Sequence, residues 1–310
     1  MIFERALDGD FIKALNRLYV DGSWWKDLLE DEDVFIAVRG NYLNAYFQGC
    51  SLAKITFEQG EVCTSTHYKY LLRSIRSPYI KAKAGKFQYP DAWKDPGSVF
   101  AQGLHERDTL KAAAEVYSRG TEREFVSNVI TSKVIKDLGN VIDVEIAFSV
   151  PSTGDTDDAT TPRIDLAALE RTSDGVQLVM YEAKLFQNQE LRSGSEQVPV
   201  LGQIAQYEAV LREHHDDVRR SYLNTARIVL AIDGLPVPRK LWARRIVENE
   251  QSFSVSPKAR LIIGNFDNDQ KHGKAWKPHR EKLERNIGAS RIFAAKAAKT
   301  IGEQISRAST

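Results

Sequence analysis

Alternating apolar and polar positions in the first third of the chain predict β-strands. Short glycine-containing turns separate the alternating runs, and turns of this kind join antiparallel neighbours. Ahead of the strands, Phe11, Leu15 and Leu18 recur at helical spacing. We therefore expect an N-terminal α+β module with a helix, an antiparallel meander and a further helix near residues 69–75. The predicted strands cover residues 34–38, 42–47 and 52–57.

A segment rich in turn-forming residues follows at positions 89–98 and includes Pro90, Pro96 and Gly97. Such a cluster between two patterned regions marks a boundary. We expect two domains: an accessory or recognition module over residues 1–100 and a second domain over residues 101–310. The length of 310 residues is sufficient for two hydrophobic cores.

Beyond this boundary the pattern changes from helical to strand-like and back. Thr121 and Glu124 have the spacing of a capping box, and apolar residues at helical spacing continue to Leu138. The resulting order, αβββαβ, predicts an α/β fold for the second domain. After the first helix we expect strands at 141–150, 163–169 and 176–184, a helix at 203–212, a buried strand at 226–232, another strand within 255–266 and a closing helical extension at 289–306.

Composition narrows the class of protein only slightly. Hydrophobic residues make up 42% of the chain, which is typical of a folded protein. The 43 basic and 42 acidic residues nearly cancel, so net charge favours neither a nucleic acid nor a membrane as partner. Two cysteines are too few for a disulfide framework, and no run approaches the roughly 20 apolar residues of a membrane span. We expect a cytoplasmic protein with no membrane partner.

Two carboxylates and an amine in the second domain have the spacing of a reactive site. If the turn near Ser173 and Asp174 joins two antiparallel strands, Asp165 lies directly opposite Glu182, with Cβ atoms about 5 Å apart. Like charges so placed repel unless a cation lies between them, and Mg²⁺ typically binds one or two carboxylates. Lys184 shares their face by strand alternation, where its amine can orient or help deprotonate a water, or stabilise developing charge.

A Glu-x-Lys pattern is more often found on a solvated strand face than in a site. Here the preceding residues 178–181 are apolar, which indicates a strand buried on both faces. An acid and a lysine at the end of such a strand are costly unless they are paired or functional. We therefore interpret Asp165, Glu182 and Lys184 as a magnesium-dependent catalytic site.

With these motifs, residues 108–235 resemble the PD-(D/E)XK nuclease superfamily, which has the restriction-endonuclease-like fold. The resemblance implies an αβββαβ core and magnesium bound by Asp165, Glu182 and the Ala183 carbonyl. It also implies that Lys184 orients or helps to deprotonate the attacking water. Mn²⁺ is expected to substitute for Mg²⁺. Gln203 and Tyr207 are similar to the Gln-x-x-x-Tyr element of RecB-like members and would position the phosphate or the lysine. Ile164 stands where many members have proline, a residue without a chemical role there.

The opening of the first helix of this domain offers one more carboxylate. Residues 121–125, Thr-Glu-Arg-Glu-Phe, resemble the start of archaeal Holliday-junction resolvases, in which the first glutamate approaches the metal. A helical projection places Glu122 on the side of the apolar residues, whereas Glu124 is explained by the capping box. We therefore choose Glu122 as an additional metal ligand and catalytic residue, and we expect Glu145 to face solvent.

Other polar segments leave two interpretations open. Residues 62–90 are basic with interleaved aromatics, and they could follow a nucleic-acid backbone or form a solvated helix over core aromatics. The basic stretch 272–280 could lie along the same groove or be a surface loop. The acidic residues 155–158 are expected in a loop near the site.

Together these features predict a magnesium-dependent nuclease that hydrolyses DNA phosphodiester bonds, most simply an endonuclease in restriction, phage defence or repair. DNA is preferred to RNA by family analogy and not from residue chemistry. One alternative is a nuclease-like nucleic-acid-binding or effector-recruiting protein whose cutting is idle or conditional. Another is a Holliday-junction resolvase, which would cut four-way junctions selectively and act as a homodimer.

Overall fold

The computed structural model describes residues 3–70, 81–83, 86–88, 104, 107–148, 163–194 and 197–309. The predicted domain boundary at 89–98 and the acidic segment 155–158 lie outside these residues. So does most of the helix predicted near 69–75, of which only a 3₁₀ turn, Tyr68–Tyr70, is described.

The N-terminal region contains a four-stranded antiparallel sheet in the order β1-β2-β3-β4. The predicted meander is confirmed, and β4 adds a strand that the sequence pattern did not indicate. A separate hairpin pairs β5, Lys81–Lys83, with β6, Lys86–Gln88. The elements before it are α1, Gly9–Val20; α2, Trp24–Glu30; β1, Val34–Val38; β2, Leu43–Phe47; β3, Cys50–Glu58; and β4, Glu61–Ser65.

The remaining elements surround a six-stranded mixed sheet. They are α3, Arg107–Ser118; α4, Glu122–Ile130; α5, Lys133–Leu138; β7, Val141–Ala147; β8, Arg163–Thr172; β9, Gly175–Leu185; α6, Pro199–Glu213; α7, His215–Ala231; α8, Val237–Glu248; β10, Phe253–Val255; β11, Arg260–Gly264; α9, Asn268–His272; α10, Lys277–Ile287; β12, Ile292–Ala294; and α11, Ala298–Ser309. The predicted α/β class is confirmed at this level.

Strand order in this sheet is β12-β11-β9-β8-β7, and β10 pairs with β9 beside β11. β7, β8 and β9 form an antiparallel meander, whereas β10 and β11 run parallel to β9, and β12 runs parallel to β11. Three helices, α6 to α8, connect β9 to β10. The position next to β9, after the meander, is therefore shared by two short strands, β10 and β11.

Three predicted elements are wrong or displaced. Residues 226–231 belong to helix α7 and not to a strand, because Val218, Tyr222 and Val229 are buried at helical spacing along that helix. The helix predicted from 121 to 138 is interrupted at Thr131 and Ser132, giving α4 and α5. The closing helix starts only at Ala298, since the preceding apolar residues form β12.

A buried carboxylate joins the N-terminal region to the six-stranded sheet. Asp143 of β7 accepts hydrogen bonds from Arg5 Nη2 at 3.1 Å, from Arg39 Nη1 at 2.5 Å and from the Tyr222 hydroxyl at 3.1 Å. Its side chain is 1% exposed. Burial alone would raise the pKa of Asp143, but Arg39 and Arg5 outweigh that effect and hold the pKa below its usual range.

One hydrophobic cluster extends from the N-terminal helix α1 through the sheet to α10, and it includes Phe11, Leu178 and Leu283. A second cluster packs α4 and α11 on the sheet through Val129, Ile301 and other residues. The six-stranded sheet is therefore covered by packed side chains on both faces. None of the helices in the described part of the chain has the length and apolar character required to cross a bilayer.

Candidate active site at the ends of strands β8 and β9

The hairpin of β8 and β9 has the register predicted from the sequence. Paired residues run from Thr172 and Gly175 at the turn to Leu166 and Tyr181, and the next positions in that register are Asp165 and Glu182. Asp165 Oδ2 accepts a hydrogen bond of 2.7 Å from the backbone N–H of Ala183. The two carboxylates therefore lie side by side on adjacent strands.

Lys184 completes this group at the end of β9. Its Nζ atom lies 2.8 Å from Glu182 Oε1, 2.8 Å from Glu190 Oε2 and 3.9 Å from Glu122 Oε2. Burial lowers the pKa of Lys184, but the surrounding carboxylates, Glu182 first, more than compensate and raise the pKa above its ordinary value. The amine is a cation at neutral pH, so it is suited to stabilising negative charge and not to accepting a proton.

The two carboxylates carry more negative charge than their neighbours neutralise. Burial and the charge of Glu182 raise the pKa of Asp165 well above its usual range, despite the Ala183 N–H and Lys184. Burial also raises the pKa of Glu182, and Lys184 offsets only part of this effect. Glu182 Oε2 is buried and has no hydrogen-bond partner in the described part of the protein. A cation placed here would relieve both groups.

Glu122 stands at the first position of α4 and reaches the end of β9. Its Oε1 atom accepts a hydrogen bond of 3.2 Å from Leu185 N and another from the Asn188 side-chain amide. Glu124 faces away and accepts a hydrogen bond from Gly120 N, while Thr121 accepts one from Glu124 N at 3.3 Å. Glu122 is thus the glutamate of this helix that lies beside Lys184, whereas Glu124 binds the backbone just ahead of the N-cap residue Thr121.

Helix α6 brings Gln203 and Tyr207 to the same region, one turn apart. Gln203 Nε2 donates to Glu190 Oε1 at 3.3 Å, and the Tyr207 hydroxyl donates to the carbonyl oxygen of Arg163 at 2.6 Å. Burial and the charges of Glu182 and Asp165 raise the pKa of Tyr207. Gln203 therefore acts on Lys184 through Glu190, and Tyr207 fixes the start of β8 beside the carboxylates.

Two residues of this network were not singled out from the sequence. Glu190 binds Lys184 directly, and Asn188 both donates to Glu122 and accepts from Glu190 N at 2.8 Å. Both lie in a short 3₁₀ turn that follows β9. A polar Asn-x-Glu directly after the Glu-x-Lys strand was a signal that could have indicated them.

The expectation that Glu145 faces solvent is wrong. Its side chain is only 9% exposed, with Oε1 at 3.7 Å from Arg123 Nε, and burial raises its pKa. Glu145 lies on β7 between the residues paired with Ile164 and Leu166, which places it beside Asp165. Its φ of 50° is in the left-handed region, which non-glycine residues rarely adopt.

The oxygen atoms of Asp165 and Glu182 suit magnesium better than a metal ion whose ligands all come from protein side chains. No group of three or more His, Cys, Asp or Glu side chains among the described residues is arranged to hold a metal ion. Magnesium commonly takes only one or two carboxylates and fills its other positions with water and substrate phosphate oxygens. Asp165 and the free Oε2 of Glu182 fit that requirement, and Ala183, which directly follows Glu182, donates its backbone N–H to Asp165.

Comparison with known proteins adds no assignment: no family model, no curated protein and no solved structure matches the chain.

Proposed function

We propose that the protein is a magnesium-dependent nuclease that hydrolyses DNA phosphodiester bonds. The observation that carries this proposal is the juxtaposition of Asp165, Glu182 and Lys184 on two neighbouring strands. Two under-neutralised carboxylates next to a cationic amine can bind a divalent ion and a phosphate together.

In this proposal Asp165, Glu182 and the Ala183 carbonyl hold the metal, which supplies Lewis-acid polarisation of a phosphoryl oxygen when bound. Lys184 stabilises the negative charge that gathers in the transition state. Glu190 holds Lys184, Gln203 orients Glu190, and Glu122 contacts Lys184 from the helix. Mn²⁺ is expected to substitute for Mg²⁺, because it also accepts oxygen ligands.

The order of elements supports a PD-(D/E)XK assignment within this proposal. The antiparallel meander β7-β8-β9 is preceded by a helix and followed, after helices, by a strand parallel to β9. DNA is chosen over RNA by analogy with that family, and restriction, phage defence or repair would each use such an activity. Cys50 and Cys63 are free thiols, which suits the reducing cytoplasm.

The test is digestion of plasmid DNA, as duplex and as single-stranded circle, with and without Mg²⁺ by the wild type and by Lys184→Ala. We expect metal-dependent cutting by the wild type and a loss of about 100-fold or more in the variant, the usual cost of removing a group that stabilises transition-state charge. Glu170→Gln is the control, since Glu170 is a charged and buried residue near the other end of the same hairpin, where its partners are Arg260 and Tyr181. It should cut at the wild-type rate.

One observation favours a second candidate, a nuclease-like binding or effector-recruiting protein with conditional cutting. Lys184 is already surrounded by Glu122, Glu182 and Glu190, so its charge is engaged before substrate arrives. Equal inactivity of the wild type and Lys184→Ala, with DNA binding retained, would support that candidate. Preferential cutting of four-way junctions by a homodimer would instead support a junction resolvase.

A further inference from the structure

A cleft of about 770 Å³ lies between the N-terminal sheet and the β7–β8 side of the six-stranded sheet. Strands β2 and β3 form one wall, while Arg123, Glu145 and Arg163 form the opposite one. Arg123 and Glu145 also line a smaller cavity that Asp165 reaches. The cleft therefore approaches the candidate active site from the side of Asp165.

Strand alternation explains why the N-terminal sheet presents a polar face to this cleft. Leu43, Ala45 and Phe47 of β2 are buried in the hydrophobic core, so Asn44 and Tyr46 point to the other side. Lys54 of β3 pairs with Asn44 on one neighbour and with Ser65 on the other. A polar stripe thus crosses three strands and lines the cleft.

The cleft has an excess of positive charge. Asp143 pairs with both Arg5 and Arg39 and so offsets one of their two charges, and the one ion pair of Arg123 with a described residue is the 3.7 Å contact with Glu145. Lys54, Lys69 and Arg163 form no salt bridge with any described residue, so their charges are available to an anionic ligand. The charged residues that line the cleft are Arg5, Arg39, Lys54, Lys69, Arg123, Arg163, Glu4 and Glu145.

Aromatic rings hold two of these lysines in place. Lys54 Nζ lies 4.4 Å from the centroid of the Tyr42 ring, and Lys69 Nζ lies 4.9 Å from the rings of Tyr70 and of Tyr117. Cation–π contacts position an ammonium group without cancelling its charge. The half-buried Tyr42 ring also offers a surface on which a base can stack.

We propose that this cleft binds single-stranded nucleic acid and leads it to Asp165 and Glu182, an inference that rests on the proposed nuclease function. Fixed cations beside an aromatic ring match a phosphate backbone with unstacked bases. A volume of about 770 Å³ is in the range of pockets that hold one small molecule. It accommodates a few nucleotides of one strand, whereas a double helix needs a much more extended surface. The N-terminal module then selects the substrate.

The test measures binding separately from cutting. Fluorescence anisotropy with a labelled 12-nucleotide mixed-sequence DNA strand, in EDTA, compares the wild type with Lys54→Ala, Lys69→Ala and the double variant. We expect about 3-fold weaker binding for each single variant and about 10-fold for the double, with the salt slope reduced by about 0.7 per lysine removed. Tyr42→Leu should weaken binding by at least about 5-fold.

Lys13→Ala is the matched control, because Lys13 belongs to the same N-terminal region but is exposed on α1 and paired with Asp10. It should bind like the wild type, and circular dichroism should show every variant folded. Binding of the strand by the double variant as tight as by the wild type would overturn the proposal. So would tighter binding of the corresponding 12-base-pair duplex than of the single strand.

The same proteins, assayed with Mg²⁺, separate this inference from the proposed function. Wild-type protein that binds the strand through Lys54 and Lys69 but never cuts it supports the cleft and contradicts the nuclease. Undiminished cutting by the double variant at limiting substrate contradicts the cleft and leaves the nuclease intact.

Discussion

Asp143 and Asp165 lie on adjacent strands of one sheet, yet their surroundings have opposite effects. Asp143 accepts hydrogen bonds from two guanidinium groups and a tyrosine, and its pKa is lowered. Asp165 has one backbone N–H and a neighbouring carboxylate, and its pKa is raised. Burial raises the pKa of both groups, so the opposite net shifts come from their different hydrogen-bond and charge partners.

This contrast separates a structural carboxylate, Asp143, from Asp165, which we propose to be reactive. Asp143 already has two cationic partners, Arg5 and Arg39, and would gain nothing from another cation. The pair of Asp165 and Glu182 retains uncompensated negative charge, which costs folding free energy that a functional site can recover when its ligand binds. Burial is common to both carboxylates, so the proposal for Asp165 and Glu182 rests on their deficit of partners.

The largest effect that we expect is from Asp143→Asn, which removes the charge but keeps the shape. Arg5 and Arg39 would remain buried without a counter-charge, and breaking a buried ion pair in this way costs about 3–5 kcal/mol of unfolding free energy. Urea denaturation followed by fluorescence measures it. Asp10→Asn, at an exposed pair, should leave the free energy of unfolding close to that of the wild type. Equal effects of the two substitutions would refute the contrast.

Acid should weaken the Asp143 cluster in a defined pH range. Because its folded-state pKa lies below the ordinary value of 3.8, its stabilisation is present above that value and is lost as pH falls through the folded-state pKa. We expect wild-type stability to decline below about pH 4 through this group. Denaturation midpoints from pH 6 to pH 2.5 measure the loss, and Asp143→Asn should show a shallower decline.

Asp165→Asn should change the free energy of unfolding in the direction opposite to Asp143→Asn. Without metal, removing one of two repelling carboxylates should raise the unfolding free energy by about 1 kcal/mol. Millimolar Mg²⁺ should raise the thermal midpoint of the wild type but not of the variant, since only the wild type keeps both ligands. Calorimetry with and without Mg²⁺ measures both effects. A variant that is less stable than the wild type without metal would contradict the interpretation of Asp165.

The smallest change in unfolding free energy is expected for substitution of Tyr207, which lies beside Asp165 and Glu182. Tyr207→Phe removes the hydrogen bond to the Arg163 carbonyl and should cost about 0.5–1.5 kcal/mol. Tyr222→Phe is the matched control in the other cluster, where Asp143 keeps both arginines. Both variants should lose similar stability in denaturation experiments, but only Tyr207→Phe should also slow DNA cutting. Reduced cutting by Tyr222→Phe alone would reverse the assignment of the two clusters.

Local patterns were sufficient to predict the hairpin that carries the site. The turn near Ser173 and Asp174 fixes the pairing of β8 with β9, and strand alternation then places Lys184 on the face of Glu182. The antiparallel meander of the N-terminal region followed from the same two rules. These predictions succeeded because they depend on residues that are close in the chain.

Features that depend on distant residues or on unusual backbone conformations could not be predicted. Arg5 and Arg39 are 138 and 104 residues away from Asp143, and no periodicity connects them. The left-handed conformation of Glu145 cannot be inferred from its residue type. The apolar run at 226–231 fits a strand and a helix equally well until the buried residues one and two turns earlier are considered.

The ion pairs of Asp143 have a consequence for how this protein can be altered by recombination. Arg5 and Arg39 lie in the first forty residues, whereas Asp143 lies in the sheet that carries Asp165 and Glu182. A fragment lacking those residues would enclose an unbalanced charge, and a foreign N-terminal region would need two guanidinium groups at matching positions. The two parts are therefore expected to be inherited together, unlike detachable specificity modules that are exchanged between enzymes.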